Sequence, residues 1–218
     1  MKNIIFIAPP AAGKGTQSKL MSLEYNIPHI STGDLLRDEV EAGTMLGKFL
    51  KEEMDLGNLI SDDIIVNLLR KRICRVDCND GYILDGYPRN VEQAKIYENL
   101  VNELGKEVGI VIHMDVDKEV TFKRTINRII CGTCGTSYNK AIKELSPTID
   151  GICDKCGHIL TLRSDDNEST FVTRYNNYEI STTPLLNYYR EKGILKEFKV
   201  EETDTVQDIF NKIKELIN

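Results

Sequence analysis

The stretch Ile4-Ile5-Phe6-Ile7-Ala8-Pro9-Pro10-Ala11-Ala12-Gly13-Lys14-Gly15-Thr16 reads as a buried strand, a tight loop and the start of a helix. Residues 2–7 form an apolar, β-rich run, which Ala8 to Gly13 breaks. A helical pattern then follows from Lys14 through Leu20, Met21 and Leu23. A loop between a strand and a helix N-terminus is where a phosphate cradle belongs. Its backbone N–H groups face outward, the helix dipole favours an anion, and Lys14 adds a mobile positive charge. The general phosphate-loop pattern has Gly where this chain has Ala8, and Ser or Thr where it has Gly15, with Thr16 one place later. The bland reading is a linker between strand and helix. If Ala8 or Ala11 adopts a positive φ, each costs about 1–2 kcal/mol; at negative φ neither costs anything.

Outward from this unit the strand–helix alternation continues. Tyr82-Ile83-Leu84 is a second buried run, ending at Asp85-Gly86-Tyr87-Pro88-Arg89, and Val108 to Val116 is a third, nearly continuous in Val and Ile. Ser61 is placed to cap a helix bearing Ile64, Ile65, Leu68 and Leu69, with Asp62 and Asp63 at its positive end. Residues 205–217 put Val206, Ile209, Phe210, Ile213 and Ile217 on one helical face. The alternation predicts an α/β fold with a central parallel sheet covered on both faces. Residues 131–163 interrupt the rhythm and read as an inserted subdomain.

The chain has 218 residues, enough for one α/β domain with insertions. Lys and Arg total 28 against 34 Asp and Glu, a net charge of −6, which speaks against wrapping nucleic acid. No apolar run approaches the roughly 18 residues that span a bilayer. The opening residues carry too short an apolar stretch for a secretory signal, so a cytoplasmic protein is expected. Six cysteines in a reducing compartment read as thiols or metal ligands. Cys131-x₂-Cys134, 18 intervening residues, then Cys153-x₂-Cys156 is a zinc-ribbon spacing, with Gly135 and Gly157 supplying tight turns. Four thiolates leave no open coordination position, which predicts a structural Zn²⁺; His158 is a weaker alternative ligand, and Cys74 and Cys78 read as structural thiols.

Thr32-Gly33-Asp34-Leu35-Leu36-Arg37 reads as a helix capped by Thr32 with Leu35, Leu36 and Val40 buried, or as a second anion site with Arg37 one turn in. Asp85 to Arg89 follows a buried strand at the carboxyl edge, where open α/β sheets bind ligands. Arg124, Arg128, Arg163 and Arg174 flank the insertion, and singly each reads as a solvated surface residue.

Together these motifs resemble the adenylate kinases, from Ile4 to the C-terminal helix. The specific parts are Gly-Lys-Gly-Thr-Gln at 13–17, Ser-Thr-Gly-Asp-Leu-Leu-Arg at 31–37 and Leu-Asp-Gly-Tyr-Pro-Arg at 84–89. Gln93, Arg128, the run from Arg163 to Glu168, and Arg174 add to them. The resemblance implies a P-loop three-layer core (1–30, 61–126 and 164–218), a helical AMP-binding insert (31–60) and a zinc-containing lid of the long form (127–163). It implies that Ala11, Ala12, Gly13, Lys14, Gly15 and Thr16 line the ATP phosphates. Arg124 would flank the ATP adenine, Arg128 with Ser137 and Tyr138 would close over ATP, and Asp204 would make a late contact to the base. Thr32, Arg37, Asn58, Leu59, Ile60, Gly86, Tyr87, Pro88, Arg89 and Gln93 would hold AMP, Gln93 reading the adenine edge. Arg163 and Arg174 would bridge to the transferring phosphoryl group. The chain departs from the family's pattern at Ala8 and Ala11, usually glycines, at Asn127-Arg128-Ile129, often two arginines, and at Tyr87, usually Phe.

The implied reaction transfers a phosphoryl group from ATP to AMP, giving two ADP. Its needs are positioning and charge neutralisation, not a proton base. Lys14, Arg89, Arg128, Arg163 and Arg174 would supply the charge, with Asp85 holding the water shell of Mg²⁺. None of His29, His113 and His158 is required, and His113 reads as a core residue. A monomer is expected, with neither nucleic acid nor membrane as partner. The competing readings are a nucleotide sensor without turnover, suggested by Ala8 and Ala11, and a zinc-ribbon nucleic-acid binder using Lys140, Lys143 and Lys155.

Overall fold

The computed structural model describes residues 3–55, 60–162 and 166–217. Its strands are β1 (Ile4–Ile7), β2 (His29–Ser31), β3 (Ile83–Asp85), β4 (Ile110–Val116), β5 (Arg128–Cys131), β6 (Ser137–Asn139), β7 (Leu160–Leu162) and β8 (Leu195–Val200). Its α-helices are α1 (Lys14–Tyr25), α2 (Thr32–Glu41), α3 (Met45–Asp55), α4 (Asp62–Ile73), α5 (Val91–Glu103), α6 (Lys118–Ile126), α7 (Glu168–Glu191) and α8 (Val206–Ile217). The main sheet has the order β2-β3-β1-β4-β8, and every pairing in it is parallel.

Alternation along β1 explains the three layers. Ile5 and Ile7 belong to one buried cluster, with Leu69 and Ile73 of α4, Tyr97 and Val101 of α5, and Leu185 and Tyr189 of α7. Ile4 and Phe6 belong to the other, with Met21 of α1 and Ile209, Phe210 and Ile213 of α8. No residue of β1 is more than 5 % exposed, and each such side chain contributes roughly 1.5–3 kcal/mol by leaving water. Gly109 lets β4 start against β1: its φ is +94°, and a Cβ there would lie 2.0 Å from the Asn3 carbonyl oxygen. The carbonyl instead accepts from the Ile110 N–H at 2.8 Å.

Three antiparallel strands, in the order β6-β5-β7, form a second sheet within 127–163. It has its own small buried set, Ile129, Cys131, Tyr138, Cys153 and Leu160.

Local details differ from the sequence reading. The cap of α2 is Ser31, whose side chain accepts from the Asp34 N–H; Thr32 lies inside the first turn and sends its hydroxyl elsewhere. Two capping residues in tandem leave that choice to tertiary contacts. Leu35, Leu36 and Val40 are half-buried. Ser61 occupies the cap position of α4 without a side-chain cap bond.

Candidate active site

The carboxyl ends of β1 and β3 define the site. Their register sets Asp85 opposite Phe6, so Asp85 stands where the loop leaves β1. In that loop Ala11 has φ +58° and Gly13 φ +94°, whereas Ala8 keeps a negative φ and lies buried at the end of β1. The question left by the two alanines is thereby divided: Ala11 bears the left-handed conformation and Ala8 does not. Ala12, 1 % exposed, donates its N–H to the Pro9 carbonyl at 3.3 Å. Lys14, Gly15 and Thr16 form the first turn of α1, with Gly13 at its cap.

Lys14 Nζ lies 3.1 Å from Asp85 Oδ1, and His29 Nε2 donates to Asp85 Oδ2 at 3.3 Å. Burial works against ionisation of this carboxyl. The Lys14 ammonium and the His29 hydrogen bond outweigh it and bring the pKa down to about 2. His29 reaches Asp85 because β2 pairs with β3 in a register that sets Ser31 beside Asp85. Sequence reading missed this partner, since the adjacency of β2 and β3 is a property of sheet order.

From Asp85 the contacts run on into the other motifs. Gly86, at φ +85°, accepts at its carbonyl from Thr32 Oγ1 at 3.2 Å and from Arg89 Nε at 3.0 Å. The Tyr87–Pro88 peptide is cis, and both residues are buried. Gln93, in the first turn of α5, accepts from the Arg89 N–H at 2.7 Å and donates to Asp62 Oδ1 at 2.7 Å. Asp62 is a second residue that no motif announced; its only sequence signal is its place at the start of α4. Arg37 is exposed and paired with Asp34, and a Cβ on Gly33 would lie 3.3 Å from its guanidinium. Ile60 is half-buried; Asn58 and Leu59 lie outside the described residues.

On the other side of the loop, Arg124 Nη1 donates to the Ala12 carbonyl at 3.2 Å, joining α6 to the cradle. Burial lowers its pKa, against the opposing influence of Asp204 and Glu202. Asp204 accepts from Lys212 Nζ at 2.6 Å and from the Glu201 N–H at 2.8 Å. Arg128 opens β5 and is bound to Asp166; Arg174 is half-buried on α7; Arg163 lies outside the described residues. Ser137 is exposed. Tyr138 is turned inward: its hydroxyl lies 3.5 Å from Cys153 Sγ and accepts from the Asp154 N–H at 2.8 Å, so it is spent within the small sheet.

At the carboxyl ends of adjacent strands the structure thus brings together the loop after β1, Thr32 at the start of α2, and Arg89 and Gln93 beyond β3, joined by the Lys14–Asp85 ion pair and by hydrogen bonds. The sequence model of the family "Adenylate kinase" matches residues 6–194. The chain belongs to the adenylate kinase family. It is 42 % identical over 215 residues to the adenylate kinase of Archaeoglobus fulgidus, covering 99 % of this chain and 97 % of that protein. It is 43 % identical over 211 residues to the adenylate kinase of Thermodesulfovibrio yellowstonii, covering 96 % of each. The adenylate kinase of a Geobacillus strain is 40 % identical over 215 residues, 99 % of this chain and 98 % of its own length. Membership makes the chain a phosphotransferase and disfavours the sensor and the nucleic-acid binder.

The four cysteine sulfurs lie within 4.8 Å of one another. Cys131 and Cys156 sulfurs are 3.4 Å apart, and those of Cys134 and Cys153 are 3.5 Å apart. A tetrahedral Zn²⁺ with bonds of about 2.3 Å has sulfur–sulfur edges of about 3.8 Å, so this donor set fits such an ion. Cys74 is exposed and Cys78 buried, both outside the cluster. His113 is a satisfied core residue, with Nδ1 3.2 Å from Glu197 and Nε2 2.9 Å from the Tyr178 hydroxyl. Among the described residues no helix is long and apolar enough to cross a membrane.

Proposed function

We propose that the enzyme catalyses reversible phosphoryl transfer from ATP to AMP, giving two ADP, and serves adenine nucleotide balance in the cytoplasm as a monomer. The observation that carries the reading is the unbroken chain of contacts from Lys14 through Asp85 and Gly86 to Arg89 and Gln93. In this reading the loop after β1 cradles phosphates and the Gln93 amide, at the far end of that chain of contacts, meets the base.

The AMP phosphate has its second pKa near 6, so at pH 7 it is largely dianionic and already a nucleophile. The protein therefore has no proton to remove. Lys14 and the loop N–H groups hold the ATP phosphates, while Arg37 and Arg89 hold the phosphate of AMP, with Thr32 beside them. Arg128, Arg163 and Arg174 spread the charge of the transferring group. Mg²⁺ bound with ATP supplies further neutralisation, and Asp85, kept ionised, is the carboxylate to hold its water shell. Two polyanions repel each other, and the arginines that offset this come from separate segments. Closure of the segment 127–163 over ATP, and of 31–60 over AMP, would bring them together and exclude water.

A Zn²⁺ held by Cys131, Cys134, Cys153 and Cys156 would brace the small sheet, with no part in the chemistry. The net charge of −6 speaks against a nucleic-acid partner. The test is coupled measurement of ADP formation from ATP with AMP, UMP, CMP or GMP. Turnover is expected with AMP in preference to the others; no turnover with any acceptor overturns the reading.

A further inference from the structure

Gln93 is 8 % exposed, and the two sides of its amide meet opposite chemistry. Its Oε1 accepts from the backbone N–H of Arg89 at 2.7 Å, and its Nε2 donates to Asp62 Oδ1 at 2.7 Å. A backbone N–H only donates and a carboxylate only accepts. Turning the amide through half a revolution would set its NH₂ against the Arg89 N–H and its oxygen against the Asp62 carboxylate. Two good hydrogen bonds would become two repulsions in a poorly hydrated place. The backbone is fixed as well, since the Gln93 N–H donates to the capping Asn90 Oδ1 at 2.9 Å. Rotation of the terminal amide is the freedom left, and Asp62 removes it.

We infer that Asp62 is a positioning residue that sets base specificity, by locking the Gln93 amide in the orientation that admits adenine and refuses guanine. This rests on the reading of Gln93 as the group that meets the base. Among the described residues, each amide atom spends one of its two hydrogen-bonding capacities on these partners, which leaves an acceptor beside a donor. Adenine presents the complement on its pairing edge, an amino donor beside a ring-nitrogen acceptor. Guanine presents a carbonyl acceptor beside a ring N–H donor, so it meets the locked amide acceptor to acceptor and donor to donor. Only the flipped amide would suit guanine. Selection of this kind is strong because the wrong base leaves buried polar groups unpaired.

The test measures kcat and KM with AMP and with GMP as acceptor, ATP being saturating. In Asp62→Asn the new side chain can face the amide with either its oxygen or its NH₂, so the flip is no longer opposed on that side. The ratio of kcat/KM for AMP to that for GMP should fall about tenfold, carried by KM, with kcat for AMP changed by less than about twofold. Asp62→Ala should lower the ratio by a similar factor, so the proposal does not hang on one variant's folding. Asp63→Asn removes the same charge from the same helix end and should leave the ratio as it is. Gln93→Ala should raise the KM for AMP; an unchanged KM would overturn the reading of Gln93 itself. If Gln93→Ala raises KM while both Asp62 variants keep the wild-type ratio, that reading stands and the lock is overturned.

Discussion

Arg128 donates from Nε to Asp166 Oδ2 at 2.6 Å and from Nη2 to the other carboxylate oxygen, and the Asp166 side chain is 1 % exposed. This two-pronged pair joins the first residue of the small sheet to the approach of α7. Removing the acid leaves a largely buried guanidinium without its partner. Asp166→Ala should therefore lose about 3 kcal/mol of stability in urea unfolding. Asp166→Asn, which keeps an acceptor for one N–H, should fall between it and wild type.

Ala11 sits at φ +58° in the loop between β1 and α1, where a Cβ is strained and glycine is not. Ala11→Gly should stabilise the protein by about 0.5–1 kcal/mol, the relief of strain exceeding the added freedom of the unfolded chain. Ala8 bears no such strain, so Ala8→Gly should destabilise by about 0.5–1 kcal/mol. Thermal melts of the two variants should move in opposite directions. A rise in kcat/KM for Ala11→Gly would show that the strain also opposes phosphate binding.

The Asp85 carboxyl, brought from 3.8 to about 2, ties stability to acid. A depressed folded-state pKa stabilises above the unfolded value and loses that contribution as pH falls through the folded value. About 2 kcal/mol should accordingly be lost between about pH 4 and pH 2. Asp85→Asn should be less stable than wild type at pH 6, with the gap closing as the pH is lowered through that window. A constant gap across it would show that Lys14 and His29 do not act on this group.

Metal removal should act on the small sheet first. Its buried set is Ile129, Cys131, Tyr138, Cys153 and Leu160, too little apolar surface to stand without a brace. Chelation, or Cys134→Ser, should lower Tm by at least about 5 °C while some turnover persists at low temperature. Identical melting curves with and without chelator would refute a structural metal.

How much of this could be read before the fold was seen depended on what each residue had to bury. The strands β1, β3 and β4 lie inside the sheet and announce themselves as apolar runs. β8 runs along an edge, paired with β4 alone, so Lys196, Glu197 and Lys199 stay exposed and blur the pattern. β2 has three residues, too few for a period to show. The small sheet hid for another reason: two of the five residues in its apolar cluster are cysteines, which carry no hydrophobic period of their own. In the site, Lys14, Arg89 and Gln93 came from motifs carried on contiguous sequence. His29, the partner of Asp85, and Asp62, the partner of Gln93, lie 56 and 31 residues away from them, and only the sheet order and helix placement bring them in.

Among the described residues, the apolar cluster of the small sheet shares no member with either cluster of the main sheet. Heating should then melt two cooperative units at two temperatures, the lower one governed by the cysteine cluster and the upper by the three-layer body. If a metal sits in the cysteine cluster, its loss should shift the lower transition and leave the upper one where it is.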